Sequence, residues 1–261
     1  MYVAALLSAS MKITEFEHPN HPDHILMLKS SDVPYKCDGC KELGFGPCFK
    51  CEDCNFHLHE ECALASKSSY HPLLKRCELR FCEETYGGRY CDACGKDVMG
   101  FVYQCTHDNA HDLHPCCLKL QRIIIGDGFE LRLSDKVPSK CLKCNSKEIS
   151  RGIKGWSYVS SCGEYCYHVA CVKDLVLENW RNGYFDGDND NISAQTSNLA
   201  LLQIASPSNE VAQRGGRLGS KAKKFWRIAK MVLKLIISAI FGDPTGGIAI
   251  IVEALVSSTS A

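Results

Sequence analysis

The sequence predicts small zinc-stabilised α+β modules in three tandem repeats, followed by a disordered linker and a C-terminal amphipathic helical segment. Three observations lead there. The 261 residues include 18 cysteines, all between Cys37 and Cys171. Within that stretch one pattern, Cys-x2-Cys followed by His-x2-Cys, recurs three times. Beyond it the character changes: Val211 to Gly242 carries eight basic residues and no acidic one, although the whole chain is formally neutral. Apolar residues are spread through short cysteine-punctuated segments, so one large hydrophobic core is not expected.

The chain opens with MYVAALLSAS, a short apolar stretch without a basic n-region, followed by the charged run KITEFEH. Secretion is therefore not expected. The protein is expected in the cytoplasm or nucleus, with peripheral membrane association as a variant. The patterned sequence starts at Met11, so Met1 and Met11 are both candidate starts, and residues 1–17 are read as a flexible N-terminus. In a reducing compartment, cysteine interleaved with histidine signals zinc more often than cystine.

The three copies are YKCDGCKELGFGPCFKCEDCNFHLHEEC, RYCDACGKDVMGFVYQCTHDNAHDLHPCC and SKCLKCNSKEISRGIKGWSYVSSCGEYCYHVAC. Their common ligands are Cys37, Cys40, His59 and Cys62; Cys91, Cys94, His114 and Cys117; and Cys141, Cys144, His168 and Cys171. A Cys-x2-Cys turn can set both sulfurs about 2.3 Å from one tetrahedral zinc, and His-x2-Cys on a helical turn supplies the remaining two ligands. One such pair is weak evidence; three complete sets are strong.

Copy one holds four further ligands, so that the order runs His24, Cys37, Cys40, Cys51, Cys54, His59, Cys62, His71. This order, with the HPNHPDH opening and the phrases YKCDGC, LHEEC, GFVYQC and DLHPCC, resembles the zinc module of protein kinase C-type regulatory regions. It resembles more closely the plant cysteine/histidine-rich divergent C-one domain, from about Met11 to Trp180. The resemblance implies a cross-braced topology, with one zinc on His24, Cys51, Cys54 and His71 and the other on Cys37, Cys40, His59 and Cys62. A module running from His24 to His71 is near the size that cannot fold on its own core. Metal binding at roughly 10–16 kcal/mol per structural zinc would supply most of its folding energy.

The later copies depart from this pattern. In copy two the middle pair is reduced to Cys105 followed by His107, Asp108 and His111, and the opening ligand is Cys77 or a shared His71. Copy three keeps Cys162 and Cys166, but at an unusual spacing, and one zinc is expected there. Cys48, Cys82 and Cys116 fit no ligand slot. The expected total is four to six zinc ions. Module boundaries are read as 18–76, 77–130 and 131–182. Phe45, Phe56, Leu58, Phe101, Tyr103, Leu113, Trp156 and Tyr158 recur beside the ligands and are predicted to form a minimal core on short strands. VKDLVLENW has helical spacing and is predicted to close the third module.

Complete, cysteine-rich ligand sets speak against a catalytic zinc, which keeps a coordination position open. No phosphate loop, nucleophile elbow or HExxH is present. No thioredoxin-like βαβ unit accompanies CDGC, CEDC, CDAC and CLKC, so thiol-disulfide exchange is a minor alternative. Only ten residues separate Cys40 from Cys51, shorter than in the diacylglycerol-binding relatives, so diacylglycerol binding is not expected. Cys37, Cys40, Cys51, Cys54, His59, Cys62, Cys91 and Cys94 also satisfy the ligand order of a plant homeodomain-type chromatin reader, but Arg89 stands where that family has tryptophan. Residues 1–210 are net acidic, which disfavours nucleic acid. The reading is a non-catalytic interaction or signalling adaptor with a protein partner.

Residues 183–219 are polar and poor in aromatics, as a flexible linker is. In the following segment, 220–258, Lys223, Arg227, Lys230 and Lys234 fall on one helical stripe. Phe225, Trp226, Ile228, Val232, Leu235, Ile236 and Ala239 cover the rest, Gly242 to Pro244 end the helix, and GGIAIIVEALV follows. The apolar runs are too short to span a bilayer. For this tail an anionic membrane surface, contacted through residues 220–256, and a helix pair that packs on the zinc modules or on a partner are equal expectations.

Overall fold

The computed structural model describes residues 13–85, 88–105, 107, 111–150, 152–181 and 220–242. The predicted linker, the leader before residue 13 and the apolar segment after Gly242 lie outside the described residues.

The strands form three four-stranded antiparallel sheets, each in simple sequence order. The first comprises β1 (Glu15–His18), β2 (His21–Lys36), β3 (Leu43–Cys51) and β4 (His57–His59), and the short helix α1 (Glu60–Ala63) follows. The second comprises β5 (Ser68–Ser69), β6 (Leu79–Cys82), β7 (Val102–Cys105) and β8 (Asp112–Leu113), followed by α2 (Pro115–Leu118). The third comprises β9 (Ile123–Gly126), β10 (Phe129–Ser134), β11 (Ser157–Ser160) and β12 (Cys166–His168), followed by α3 (Val169–Arg181). A final helix, α4, runs over Ser220–Phe241. The second and third sheets thus take their first strands from residues upstream of the expected boundaries at 77 and 131. Each opening strand is recruited by hydrogen bonding to the next, which no cysteine spacing reports.

The repeat in ligand spacing is also a repeat in strand register. Phe49 pairs with Leu58, Tyr103 with Leu113 and Tyr158 with Tyr167, on the third and fourth strands of each sheet. In every copy the first Cys-x2-Cys lies between the second and third strands, and the ligand histidine stands at the junction of the fourth strand with its helix. Seven of the eight residues predicted to form the core are 5% exposed or less; Phe56 is half-buried, its ring stacked on His21 at 4.4 Å.

The modules interlock. Phe101, from the second copy, is buried in the core of the first with Leu26, Phe49 and Leu58. Trp156, from the third copy, belongs to the core shared by the second and third. Gly100, directly before Phe101, has φ +112°, and a Cβ there would overlap the carbonyl oxygen of Gly39. Glycine is required on both counts. The substitution Gly100→Ala is expected to cost about 2 kcal/mol or more and to lower the thermal midpoint while leaving bound zinc unchanged; an unaltered melting curve would contradict the close approach.

The C-terminal helix is consumed by the fold. Ala229, Val232, Leu233, Ile236, Ile237, Ile240 and Phe241 are buried, at the i, i+3, i+4, i+7 spacing of one face. Phe225 stacks on Tyr165 at 5.1 Å, the Tyr167 hydroxyl donates to the Ala229 carbonyl at 3.3 Å, and Phe241 meets Phe45 edge-on at 5.8 Å. A 22-residue helix is about 33 Å long, and this one reaches from the third module back to the first. The basic residues turn outward: Lys221, Lys223, Lys224, Arg227 and Lys234 are exposed. No described helix is long and apolar enough to cross a membrane.

Candidate metal centres

Each repeat builds the same turn around its first cysteine pair. The amide of Lys41 donates to the Cys37 carbonyl at 2.9 Å, that of Gly95 to Cys91 at 2.7 Å and that of Asn145 to Cys141 at 2.8 Å. The amides of Cys37, Cys91 and Cys141 each donate across the turn, to Glu42, Lys96 and Ser146, at 2.9 Å. The residue after the second cysteine is left-handed in all three, with φ 64° at Lys41, 65° at Gly95 and 53° at Asn145. These bonds curl the backbone so that both sulfurs face the same side, toward the histidine at the strand end and the cysteine on the first helical turn.

The result is three Cys3His tetrads, Cys37/Cys40/His59/Cys62, Cys91/Cys94/His114/Cys117 and Cys141/Cys144/His168/Cys171. In each, all four donor atoms lie within 4.8 Å of one another. His59 Nδ1 is 3.4 Å from Cys40 Sγ and 3.7 Å from Cys62 Sγ; His114 Nδ1 is 3.4 Å from Cys94 Sγ; His168 Nδ1 is 3.4 Å from Cys144 Sγ and 3.6 Å from Cys171 Sγ. A tetrahedral zinc with ordinary bond lengths requires sulfur–nitrogen edges of about 3.5 Å. The donor sets fit zinc. At His114 the other nitrogen, Nε2, donates to the Asp97 carbonyl at 3.1 Å, which leaves Nδ1 as the lone-pair donor.

A fourth tetrad differs from the expected one. Cys51 and Cys54 gather with His24, but the remaining donor is His21. Its Nε2 is 3.4 Å from Cys54 Sγ and 3.3 Å from His24 Nδ1. His71 has both nitrogens engaged elsewhere. Its Nε2–H donates to the Leu120 carbonyl at 3.1 Å, the Leu73 amide donates to its Nδ1 at 3.2 Å, and its ring packs 4.6 Å from that of Trp156. Burial pushes its pKa below the ordinary imidazole value, with the Leu120 carbonyl pulling the other way. His71 is a neutral core histidine between the second and third modules. The signal that would have found His21 is the HPNHPDH phrase itself, whose histidines stand three residues apart.

The second module's outer site is partial. Cys77, Cys105 and His107 converge, so Cys77 and not His71 opens this copy. Cys77 and Cys105 are joined as a disulfide, with His107 Nδ1 at 2.8 Å from Cys105 Sγ. Asp108 lies outside the described residues. Reduction of this bond by a phosphine would leave two thiols that, deprotonated, can hold zinc with His107. A zinc count that rises from four to five on reduction is expected by elemental analysis, and a constant count would show a purely structural disulfide.

In the third module Cys162 and Cys166 are not brought together with other donors. Cys162 is exposed, with Sγ 3.2 Å from Ser160 Oγ, and Cys166 is buried within β12. Two residues beyond the register pairs stand Cys51, Cys105 and, in this copy, Ser160. In this copy a serine stands at the strand position that supplies a cysteine in the other two. Cys48, Cys82 and Cys116 fall outside all the clusters found among the described residues. The chromatin-reader order would need Cys91 and Cys94 to complete the first module; they instead sit with His114 and Cys117.

A zinc ion with three thiolates and one imidazole carries a net negative charge, which a buried site must offset. Lys173 is 5% exposed and its Nζ lies 3.0 Å from Glu42 and 3.8 Å from Cys116 Sγ. Burial works against its charge, but the sulfurs of Cys116, Cys117 and Cys94, with Glu42, outweigh it and raise its pKa well above the ordinary lysine value. The ammonium on α3 thus ties the third module to the centres of the other two.

The sequence model of the C1 domain matches residues 19–63. That range spans the histidines of β2, both cysteine pairs and the close of α1. The first module matches the C1 domain family. Part of the chain is 23% identical over 159 residues to LIM domain kinase 1 of Drosophila melanogaster, covering 60% of this chain and 11% of that protein. It is 28% identical over 104 residues to Prickle planar cell polarity protein 3 of Mus musculus, covering 36% of this chain and 17% of that protein. The chain spans less than a fifth of the length of these curated relatives. No solved structure matches. The C1 assignment is direct for the first module, and the second and third share its turn, register and inner tetrad.

Proposed function

We propose that the chain is a non-catalytic adaptor, in which zinc holds a rigid array of C1-like modules that presents surfaces to protein partners. The observation that carries this reading is the completeness of the four tetrads: each offers four protein donors, so a tetrahedral ion would have no position left for water or substrate. C1 domains are generally non-catalytic binding modules, and the names of the two relatives, a kinase with a LIM domain and a planar cell polarity protein, point to signalling. The array is proposed to work in the cytoplasm or nucleus.

The test uses the full chain. Crosslinked co-purification from cells should recover the same protein partners repeatedly, and should lose them when zinc is stripped. A purified chain that catalyses insulin reduction by dithiothreitol would overturn the non-catalytic reading.

A second reading concerns the outer face of α4. The core of its apolar side is buried, so an anionic bilayer would meet chiefly the exposed Lys221, Lys223, Lys224, Arg227 and Lys234. Such contact is electrostatic and screened by salt. Flotation of the full chain with phosphatidylserine vesicles should then be lost between low and physiological salt; salt-insensitive flotation, or none at low salt, rules it out.

A further inference from the structure

The modules join by one repeated contact, and the equivalent acceptor carbonyl of the last module receives no donor among the described residues. At the first Cys-x2-Cys turn, the Phe101 amide of the next module donates to the Gly39 carbonyl at 3.0 Å. At the second, the Trp156 amide of the next module donates to the Ala93 carbonyl at 2.9 Å. Gly39 and Ala93 hold the same place, one residue before the second cysteine. Phe101 and Trp156 also hold one place, two residues before Tyr103 and Tyr158 in the shared register. Each follows a glycine with positive φ, Gly100 or Gly155, and at Gly155 an added Cβ would come within 3.2 Å of the Ala93 oxygen. A left-handed glycine, then an aromatic residue with a free N–H, is the element that seats on such a turn.

The third turn has the same backbone bonds and the same left-handed residue, Asn145. Its equivalent acceptor is the carbonyl of Lys143, to which no described residue donates. Burial follows occupancy. Cys40 and Cys94, the second cysteines of the filled turns, are at most 1% exposed, whereas Cys144 is exposed. The charge differs as well. Asp38 and Asp92 of the first two turns are replaced by Leu142, and exposed Lys140 and Lys147 flank the third, with Lys143 paired to Glu178 of α3.

We propose that the Cys141–Cys144 turn is the open docking end of the array and takes a glycine–aromatic segment with acidic flanking residues from a partner protein. The site continues a series of interfaces already filled twice in this molecule, and its lysines select an acidic neighbour for the aromatic. A second copy of the chain is a poor occupant. The first module presents Pro47 at the register position of Phe101 and Trp156, and proline has no N–H to donate. Only the assignment of the occupant to a partner rests on the adaptor reading; peptide binding tests the turn itself, and partner recovery tests that reading.

The probe is a synthetic peptide, Asp-Asp-Gly-Trp-Ser-Tyr-Val-Ser, added to the 15N-labelled, zinc-loaded full chain. Saturable amide shifts confined to Leu142–Ser146 are expected, together with at least a twofold slowing of chelator-driven zinc loss from the third tetrad. A peptide with proline in place of tryptophan should give neither effect, and one with lysines in place of the aspartates should bind at least threefold more weakly. Absence of shifts at the turn, or equal binding by the proline peptide, overturns the proposal. Residues 183–186 of this chain, Gly-Tyr-Phe-Asp, carry a similar pattern. If the peptide binds only after Tyr184→Ala, the occupant is the chain's own segment and the partner assignment is wrong.

Discussion

The substitution His21→Ala is expected to remove one zinc ion per chain and to expose Cys51 and Cys54 as two additional titratable thiols, whereas His71→Ala leaves the zinc count unchanged. His21 is the fourth donor beside His24, Cys51 and Cys54. A structural zinc contributes roughly 10–16 kcal/mol to a module of this size, so loss of a ligand should unfold the edge formed by β1 and the start of β2. His71→Ala should still destabilise, by about 2–4 kcal/mol, because it empties the space beside Trp156 and leaves the Leu120 carbonyl and Leu73 amide without their partner. Elemental analysis paired with thiol titration separates the two variants. Zinc loss from the His71 variant alone would restore the ligand set expected from the family pattern and refute the geometry at β2.

Placing a carboxylate under the C-terminal helix is expected to have the next largest effect. Ile236 is fully buried in the core that α4 shares with the second and third modules. For Ile236→Asp, an unpaired charge at that position costs several kcal/mol, and the lost side chain adds a further few. A fall in melting temperature of about 10 °C or more is expected. Lys234→Asp, two residues away on the exposed face, should shift it by only a degree or two. Limited proteolysis supplies a second readout, since the Ile236 variant should be cut within 220–241 while the modules stay intact. Equal stability of the two variants would mean that the helix is not held against the modules.

The ligand repeat was legible from cysteine and histidine spacing because tetrahedral zinc admits few arrangements, and a turn that sets two sulfurs on one metal has a fixed length. The inner tetrads follow from that constraint and gather the residues their spacing picks out. The outer sites were less legible. Their donors come from strands far apart in sequence, so the choice between His21 and His71 depends on strand register. The tail divides in the same way. Its period of 3.6 and its basic stripe are properties of the sequence, but an amphipathic helix fits a bilayer surface and a protein surface equally well.

What the sequence alone determined, then, is the zinc chemistry, the number of repeats and the amphipathic character of α4, because local spacing and helical period encode each of them. Tertiary structure decided which histidine completes the outer site of the first module, which apolar surface covers the helix, and which carbonyl of the first two Cys-x2-Cys turns receives the next module. Those choices rest on backbone approach and burial between segments tens of residues apart. A Cβ too many at Gly100, or an amide too few at Pro47, decides them without leaving a mark on the spacing of the ligands.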